Sequence, residues 1–272
     1  MRIITDKSSI SNSTYNIATI GYFDGIHLGH KKILKDLVSQ ANNKGGKSIL
    51  ITFWPHPRNI LNPNTSVELL LSNTDKHQYI EKLGVDVLYI IEFTKDLSKM
   101  SAHSFIENFL IKKLKINKLI IGYNHSFGHK REGNFIFLKK NKEKYDFEIQ
   151  EVKKKEIDKK LNISPSSIRE EIRNGNIKNA NKMLGYNYYI IGEVIKGDGI
   201  GSEINYPTAN INPNDDSKLI PSNGVFVSKV DIDGEKLEGM INIGVRPTVN
   251  GKERRIELHI FNFNSTKLCE FK

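Results

Sequence analysis

The chain is predicted to be an α/β protein with a parallel sheet, followed by a smaller antiparallel β domain. Up to about Leu184, short apolar runs alternate with longer amphipathic stretches, as parallel strands joined by crossover helices require. After Gly185 the runs become rich in β-branched and aromatic residues and are separated by turn dipeptides. At 272 residues, 38% hydrophobic and 26% charged, the chain is long enough for two domains with their own cores.

In chain order, strands are expected at Ile17 to Gly21, Ser48 to Phe53, Val87 to Ile91, Leu119 to Gly122 and Phe147 to Val152. Between them, Lys31 to Asn42 places Ile33, Leu34, Leu37, Val38 and Ala41 on one helical face. Ser101 to Leu114 does the same with Phe105, Phe109 and Leu110. Ser166 and Ser167 open a helix closed by Gly175, and a second helix, Ile177 to Leu184, stops at Gly185. The boundary is expected between Gly185 and Asn187, giving domains 1–185 and 186–272. In the second domain, strands are expected at Tyr188 to Ile195, Gly224 to Ile232 and Arg255 to Phe263, with D-G at Asp233-Gly234 and N-G at Asn250-Gly251 as hairpin signals.

Forty-one basic against 31 acidic side chains give a net charge of +10, which favours anionic partners. No basic helix interleaved with aromatics is evident, so nucleic acid is not the expected partner. Cys269 is the single cysteine, which excludes intrachain disulfides and fits a reducing cytoplasm. The N-terminus lacks an apolar stretch of signal-peptide length and no segment has the roughly 18 apolar residues of a membrane span, so a soluble cytoplasmic protein is expected.

The densest chemistry lies at Thr19 to His30, T-I-G-Y-F-D-G-I-H-L-G-H. A strand runs into a glycine-broken turn and then into a helix start, where unpaired N–H groups and the helix dipole attract anions. His27 and His30 there can donate hydrogen bonds to phosphate oxygens and stabilise charge on a pentacoordinate phosphorus. H-x-x-H alone is equally half a metal site or two incidental polar residues; the strand, Asp24 and the glycines favour phosphate. Gly21, Phe23, Asp24, Gly25 and Gly29 are the loop candidates for holding it.

Two look-alikes drop out. Gly46-Lys47-Ser48 has Ala41 where a P-loop needs glycine and precedes a strand. G-D-G-I-G-S at Gly197 to Ser202 lacks the last glycine of a dinucleotide fingerprint and the following helix, yet has the texture of a backbone cradle.

W-P-H-P (Trp54 to Pro57) and I-G-Y-N-H-S-F-G-H-K-R-E-G-N (Ile121 to Asn134) each follow a strand directly, where open α/β sheets bind ligands. His56 is there either a site residue or a turn residue, and Asn124, Phe127 and Gly128 suit the lining of a ring. His125 and His129 have metal-like spacing, but no third ligand is evident. I-S-P-S-S-I-R (Ile163 to Arg169) puts hydroxyls and a cation at a helix start, for phosphate or as a plain cap. Y-P-T-A-N-I (Tyr206 to Ile211) offers two oxygen donors, Thr208 and Asn210, suited to Mg²⁺ and phosphate. Glu257 and His259 share one strand face, where a carboxylate serves as a base or is simply exposed.

In this order, G-Y-F-D-G-I-H-L-G-H, P-H-P, G-Y-N-H-S-F-G-H-K-R-E-G, I-S-P-S-S-I-R, P-T-A-N-I, N-I-G-V-R-P-T-V and E-L-H-I-F-N-F resemble the bacterial bifunctional riboflavin kinase/FMN adenylyltransferase (FAD synthetase) family over essentially the whole chain. The resemblance implies a Rossmann-like nucleotidylyltransferase domain that joins FMN to the AMP part of ATP. It also implies a C-terminal β-barrel kinase that phosphorylates riboflavin, both with Mg-ATP, and FAD as product. It places His27 and His30 at the ATP phosphates, Ser164, Ser166 and Arg169 on phosphates, and His56, Asn124 and Phe127 at the nucleotide and flavin. In the kinase it implies Mg²⁺ and nucleotide at Thr208 and Asn210, a nucleotide loop at Gly197, Gly199 and Gly201, and Glu257 as base. Three departures accompany it: Pro165 and Ser166 in the I-S-S-T-x-I-R pattern, Ser202 and Asn205 in place of an arginine and a glycine, and an end at Lys272 that leaves the barrel's last part expected to be missing. On these grounds adenylyl transfer is the activity expected to be better preserved.

Overall fold

A computed structural model describes residues 1–5, 15–64, 66–152, 163–195, 208–248 and 251–263. By their contacts, Met1–Pro165 with Met183–Gly185 form one compact unit, and Ser166–Lys182 with Tyr186–Lys272 the other.

The first unit is built on a six-stranded sheet: β1 (Arg2–Thr5), β2 (Asn16–Ile20), β3 (Lys47–Trp54), β4 (Val87–Glu92), β5 (Lys118–Gly122) and β6 (Glu148–Val152), in the order β1-β4-β3-β2-β5-β6. Every pairing is parallel. All five residues of β2 are buried, because a central parallel strand is covered on both faces. The short edge strand β1, with Ile3 exposed, escaped the sequence reading since four residues carry too little periodicity.

From β2 the chain moves outward to β3 and β4 on one side, and then returns to place β5 and β6 on the other. The topology therefore reverses beside β2, and the crevice beyond the strand ends at such a reversal is where open α/β sheets hold ligands.

Helix α1 (Leu28–Asn43) buries Leu34, Leu37 and Ala41, the stripe expected from the sequence. Its return to β3 passes through Gly46, where an added Cβ would lie 2.1 Å from the Tyr15 carbonyl oxygen. That close approach lets Lys47 N–H donate to the same carbonyl at 2.7 Å and sets β3 beside β2. Gly46-Lys47-Ser48 is thus a turn and strand start.

The helices between β3 and β5 are α2 (Pro57–Leu61), α3 (Asn73–Lys82), α4 (Lys95–Lys99) and α5 (Ala102–Phe105). The helix expected over 101–114 divides: after α5 it widens into a π-type stretch at Ile106–Lys113, and Leu114 N–H donates to the Phe109 carbonyl at 2.9 Å. Ile106, Phe109 and Leu110 stay buried, so core packing survives the wider turn. Helix α6 (Phe135–Lys140) precedes β6.

Helices α7 (Pro165–Arg173) and α8 (Ile177–Leu184), which belong to the second unit except for Pro165 and the last two residues of α8, precede β7 (Gly192–Ile195), β8 (Ala209–Pro213), β9 (Gly224–Ile232), β10 (Glu235–Thr248) and β11 (Gly251–Ile260). The five strands form an antiparallel sheet in the order β7-β8-β11-β10-β9. Asp233 and Gly234, at φ 50° and 92°, make the β9–β10 hairpin turn that the D-G dipeptide signals. Asn250 of the N-G signal lies outside the described residues, while Gly251 opens β11. The strand expected from Tyr188 begins only at Gly192. Tyr188 instead donates its hydroxyl to the Leu219 carbonyl at 2.6 Å, and the Lys218 ammonium lies 4.2 Å from its ring.

Replacing Gly46 by Ala is expected to destabilise the first unit by about 1–3 kcal/mol through overpacking against backbone. Urea unfolding followed by the fluorescence of Trp54, the single tryptophan, measures it.

Candidate active site

Between β2 and α1 the backbone is forced into a conformation few side chains accept. Phe23, Gly25 and Ile26 all have positive φ, at 56°, 72° and 35°. Asp24, 3% exposed, holds the turn by accepting from the Leu70 amide at 3.0 and 3.2 Å and the Leu71 amide at 3.3 Å. Phe23 is buried with its ring 4.7 Å from that of His30. In this structure the Asp24 carboxylate is engaged by backbone amides and the Phe23 ring is buried, so both brace the loop expected to hold phosphate. Gly25 is likewise buried, and a Cβ there would meet the Leu70 side chain at 2.7 Å.

At the end of this turn His27 caps α1. Its Nδ1 accepts from the His30 backbone N–H at 3.2 Å, and the two imidazoles stack at 3.6 Å with an 18° interplanar angle. Gly29 makes room, since a Cβ there would lie 3.1 Å from the His27 ring. Gly21 has the same part in the loop, where a Cβ would meet the Phe23 ring at 2.7 Å.

Burial pushes the His27 pKa down to about 4. It pushes His30 well below the usual imidazole range, helped by the charges His27 and His125 would carry. Both rings are thus neutral near pH 7. Because His27 accepts through Nδ1, its ring proton resides on Nε2, available to a ligand.

The neighbouring strand ends converge on this turn. His56 caps α2 through Nδ1, which accepts from Arg58 N–H at 3.1 Å, and its ring lies 4.1 Å from Tyr22 of the turn. It is a turn residue by this cap, and its ring lies beside the turn that carries Tyr22. Asn124 is exposed just past β5. Phe127 is turned into the core, 5.3 Å from the Phe105 ring, so it anchors the loop from behind rather than presenting an open face. His125 and His129 do not converge on a metal. His129 is exposed with its Nδ1 3.3 Å from the Ser98 carbonyl, and among the described residues no group of three His, Cys, Asp or Glu is arranged to hold an ion.

Lys76 was missed by sequence reading. It is 2% exposed on α3, with Nζ 3.9 Å from the Tyr22 ring and 3.5 Å from the Tyr22 carbonyl oxygen. Burial lowers its pKa to about 8, opposed by the charge of Asp24. It lines a pocket of about 120 Å³ with Thr52, Phe53, Trp54, Asn73, His77 and Ile90. A lysine in an otherwise ordinary amphipathic helix gives no sign of burial until α3 is packed beside the turn.

Near the end of the first unit, Ser164 is half-buried. In the second unit Ser166 is exposed in the first turn of α7, and Arg169 is buried. Gly197, Gly199, Gly201, Ser202 and Asn205 lie outside the described residues. Thr208 is exposed just before β8, and Asn210 is buried within it. Asn210 pairs directly with Glu257 of β11, and Glu257 pairs on its other side with Asn242 of β10. Asn242 Nδ2 donates to Glu257 Oε2 at 3.0 Å. Asn242, a second residue without an assigned role in the sequence, thereby orients the carboxylate.

A histidine pair at a helix start, set at the reversal point of a parallel sheet, defines the first unit as a nucleotidylyltransferase fold joined to an antiparallel β domain with a strand-borne carboxylate. The FAD synthetase family model matches residues 9–166, and the riboflavin kinase model residues 184–270. The bifunctional riboflavin kinase/FMN adenylyltransferase of Buchnera aphidicola is 37% identical over 97% of this chain and 85% of its own length. Those of Listeria monocytogenes and Escherichia coli are 36% and 31% identical, each over 96% of this chain and 82% and 84% of theirs. A crystal structure titled as a macrolide-efflux protein from Streptococcus pneumoniae superposes with a TM-score of 0.86 at 29% identity, over 96% of this chain and 85% of that one. No described helix of the present chain is long and apolar enough to cross a membrane. The chain belongs to the bifunctional riboflavin kinase/FMN adenylyltransferase family.

Two outcomes follow for the first unit. Asp24→Ala is expected to cost about 1–3 kcal/mol by stranding buried amides of Leu70 and Leu71, read by urea unfolding on Trp54. Since His27, His30 and His125 all have depressed pKa values in the folded state, the unfolded chain takes up protons first. Their contribution is flat above the ordinary imidazole pKa of about 6.5 and stability falls as pH drops from there towards about 4. Thermal melts at pH 7.5, 6 and 5 should show this decline, shallower in a His27→Gln/His30→Gln chain.

Proposed function

We propose that the first unit transfers AMP from ATP to FMN and that the second phosphorylates riboflavin to FMN, so that the chain catalyses both steps from riboflavin to FAD. The observation that supports the first activity most directly is the stacked His27–His30 pair at the start of α1, with His27 buried and capping the helix. An FMN phosphate oxygen attacks the α-phosphorus of ATP, the bond from that phosphorus to the bridging oxygen breaks, and pyrophosphate leaves. Charge builds on the equatorial oxygens and on the departing group. The neutral imidazoles and the first amides of α1 stabilise that charge as fixed hydrogen-bond donors without supplying a nucleophile.

Gly21 and Gly29 allow close backbone approach, and the resemblance of the I-S-P-S-S-I-R motif assigns Ser164, Ser166 and Arg169 to phosphate. Asn124 and His56, at the ends of β5 and β3, border the nucleotide or flavin. In the second unit, Glu257, held by Asn242, accepts the proton of the riboflavin 5′-hydroxyl as that oxygen attacks the γ-phosphorus of ATP, the bond from the γ-phosphorus to the β,γ-bridging oxygen breaks, and ADP leaves. The Thr208 hydroxyl and the Asn210 side-chain carbonyl are hard oxygen donors on neighbouring positions and fit Mg²⁺ better than a softer metal. Mg²⁺ bound there neutralises charge on the nucleotide phosphates. The Gly197, Gly199 and Gly201 segment, outside the described residues, is assigned to nucleotide binding by the resemblance of its motif, and residues 1–185 and 186–272 are taken as the two functional domains. The substrates are small anions and riboflavin in the cytoplasm, which the +10 charge suits without nucleic acid.

Incubation of the purified chain with ATP, Mg²⁺ and either FMN or riboflavin tests both activities by chromatography of the flavins. FAD is expected from FMN, and FMN followed by FAD from riboflavin; no FAD from FMN overturns the first assignment. His27→Ala is expected to reduce FAD formation by about 100-fold or more. Glu257→Gln is expected to abolish conversion of riboflavin while leaving FMN adenylylation intact.

A further inference from the structure

The adenylyl-transfer reading uses His27 and His30 and leaves His125 without a task. His125 follows β5, and β5 is hydrogen-bonded to β2 on the side where the sheet order reverses. Its backbone N–H donates to the Gly122 carbonyl at 3.0 Å, which turns the chain immediately after the strand. The ring is backed by Phe127, with centroids 6.1 Å apart and an interplanar angle of 25°, and Phe127 is fixed in the core. His125 is therefore a held side chain at the same crevice as the start of α1.

Two ring nitrogens of this centre are enclosed without a hydrogen-bond partner: Nδ1 of His30 and Nε2 of His125. A buried histidine with a purely packing role ordinarily has its nitrogens satisfied by protein, because leaving one unpaired is costly. His30 also senses His125, since a charge on His125 contributes to the depression of His30. Burial and the charge of Arg131 keep His125 itself neutral at physiological pH, so it can donate one ring proton without carrying a charge to be desolvated.

We propose that His125 is a third catalytic imidazole of the transferase centre, its Nε2–H donating to a phosphate oxygen of the reacting pair. The proposal rests on the FMN adenylyltransferase reading. The donor acts from the loop after β5, while His27 and His30 act from the start of α1, so the reacting phosphates are contacted from two elements of one crevice. The acceptor oxygen belongs to ATP or to FMN, and the two are separable by experiment.

His125→Phe keeps the ring and its stack on Phe127 but removes the donor, and His125→Gln returns an N–H. In steady-state assays kcat/KM for FAD formation is expected to fall about 10- to 100-fold in His125→Phe and to recover in part in His125→Gln. A raised KM for ATP alone or FMN alone identifies the acceptor, and an effect confined to kcat places the contact in the transition state. Wild-type kcat and KM for both substrates in a normally melting His125→Phe protein overturns the proposal. A second measurement needs no variant: ¹⁵N-edited imidazole spectra of the wild-type chain titrated separately with ATP and with FMN. A shift of the His125 ring nitrogens with either ligand is expected, and no shift with both, at concentrations where binding is established by calorimetry, counts against the donor. Absence of FAD formation by the wild-type protein would instead defeat the underlying reading.

Discussion

One hydrogen bond organises the first unit's site: the His30 amide donating to Nδ1 of His27. It starts the helix, turns the His27 ring over Gly29, fixes the tautomer and brings the two imidazoles face to face. For His27 to reach that position, the chain must turn through three positive φ angles between β2 and α1. Such a turn persists only when its surroundings over-determine it, and here Asp24 supplies that constraint through the amides of Leu70 and Leu71. The loop residues that resemble ligand contacts in sequence are thus the supports on which the contacts depend.

The same burial that fixes the geometry also sets the charge state. A helix N-terminus already bears partial positive charge, and adding two imidazolium ions within a stacked pair would be unfavourable. Neutral imidazoles keep their donors while avoiding that repulsion, so they serve an anionic transition state without being neutralised by it. Lys76 lies behind the turn against the Tyr22 ring and within reach of the Asp24 charge, so this lysine is held beneath the loop. In the second unit the corresponding device is a row across three strands, Asn210, Glu257 and Asn242, in which an amide from β10 orients the carboxylate of β11.

Much of the fold was legible because its strongest signals are local. The apolar runs at 17–21, 48–53 and 87–91 read as buried strands because parallel sheets are covered on both faces, and the D-G dipeptide read as a hairpin because its φ angles demand it. The strand β1 did not, having only four residues and an exposed Ile3, and β10 was hidden by its glycines and charges. The π-type turn at Ile106–Lys113 was equally invisible, since its apolar spacing is that of an ordinary helix. At the site, the glycine turn and the histidines at the helix start are legible as a local pattern, whereas the engagement of Asp24 by the Leu70 and Leu71 amides is not, because those partners lie far along the chain.

The sequence by itself determined the class of chemistry, because strand, glycine turn, histidine pair and helix start are contiguous, and their backbone requirements and helix dipole arise within a dozen residues. It also determined the family, through the order of motifs along the chain. Only the tertiary structure decided which groups face one another. Asp24 meets amides 46 and 47 residues away, Lys76 reaches Tyr22 across 54, and Asn242 orients Glu257 across 15. Those pairings follow from the parallel order of β3, β2 and β5 and from strand register in the second sheet, which bring distant segments together by burying their apolar faces.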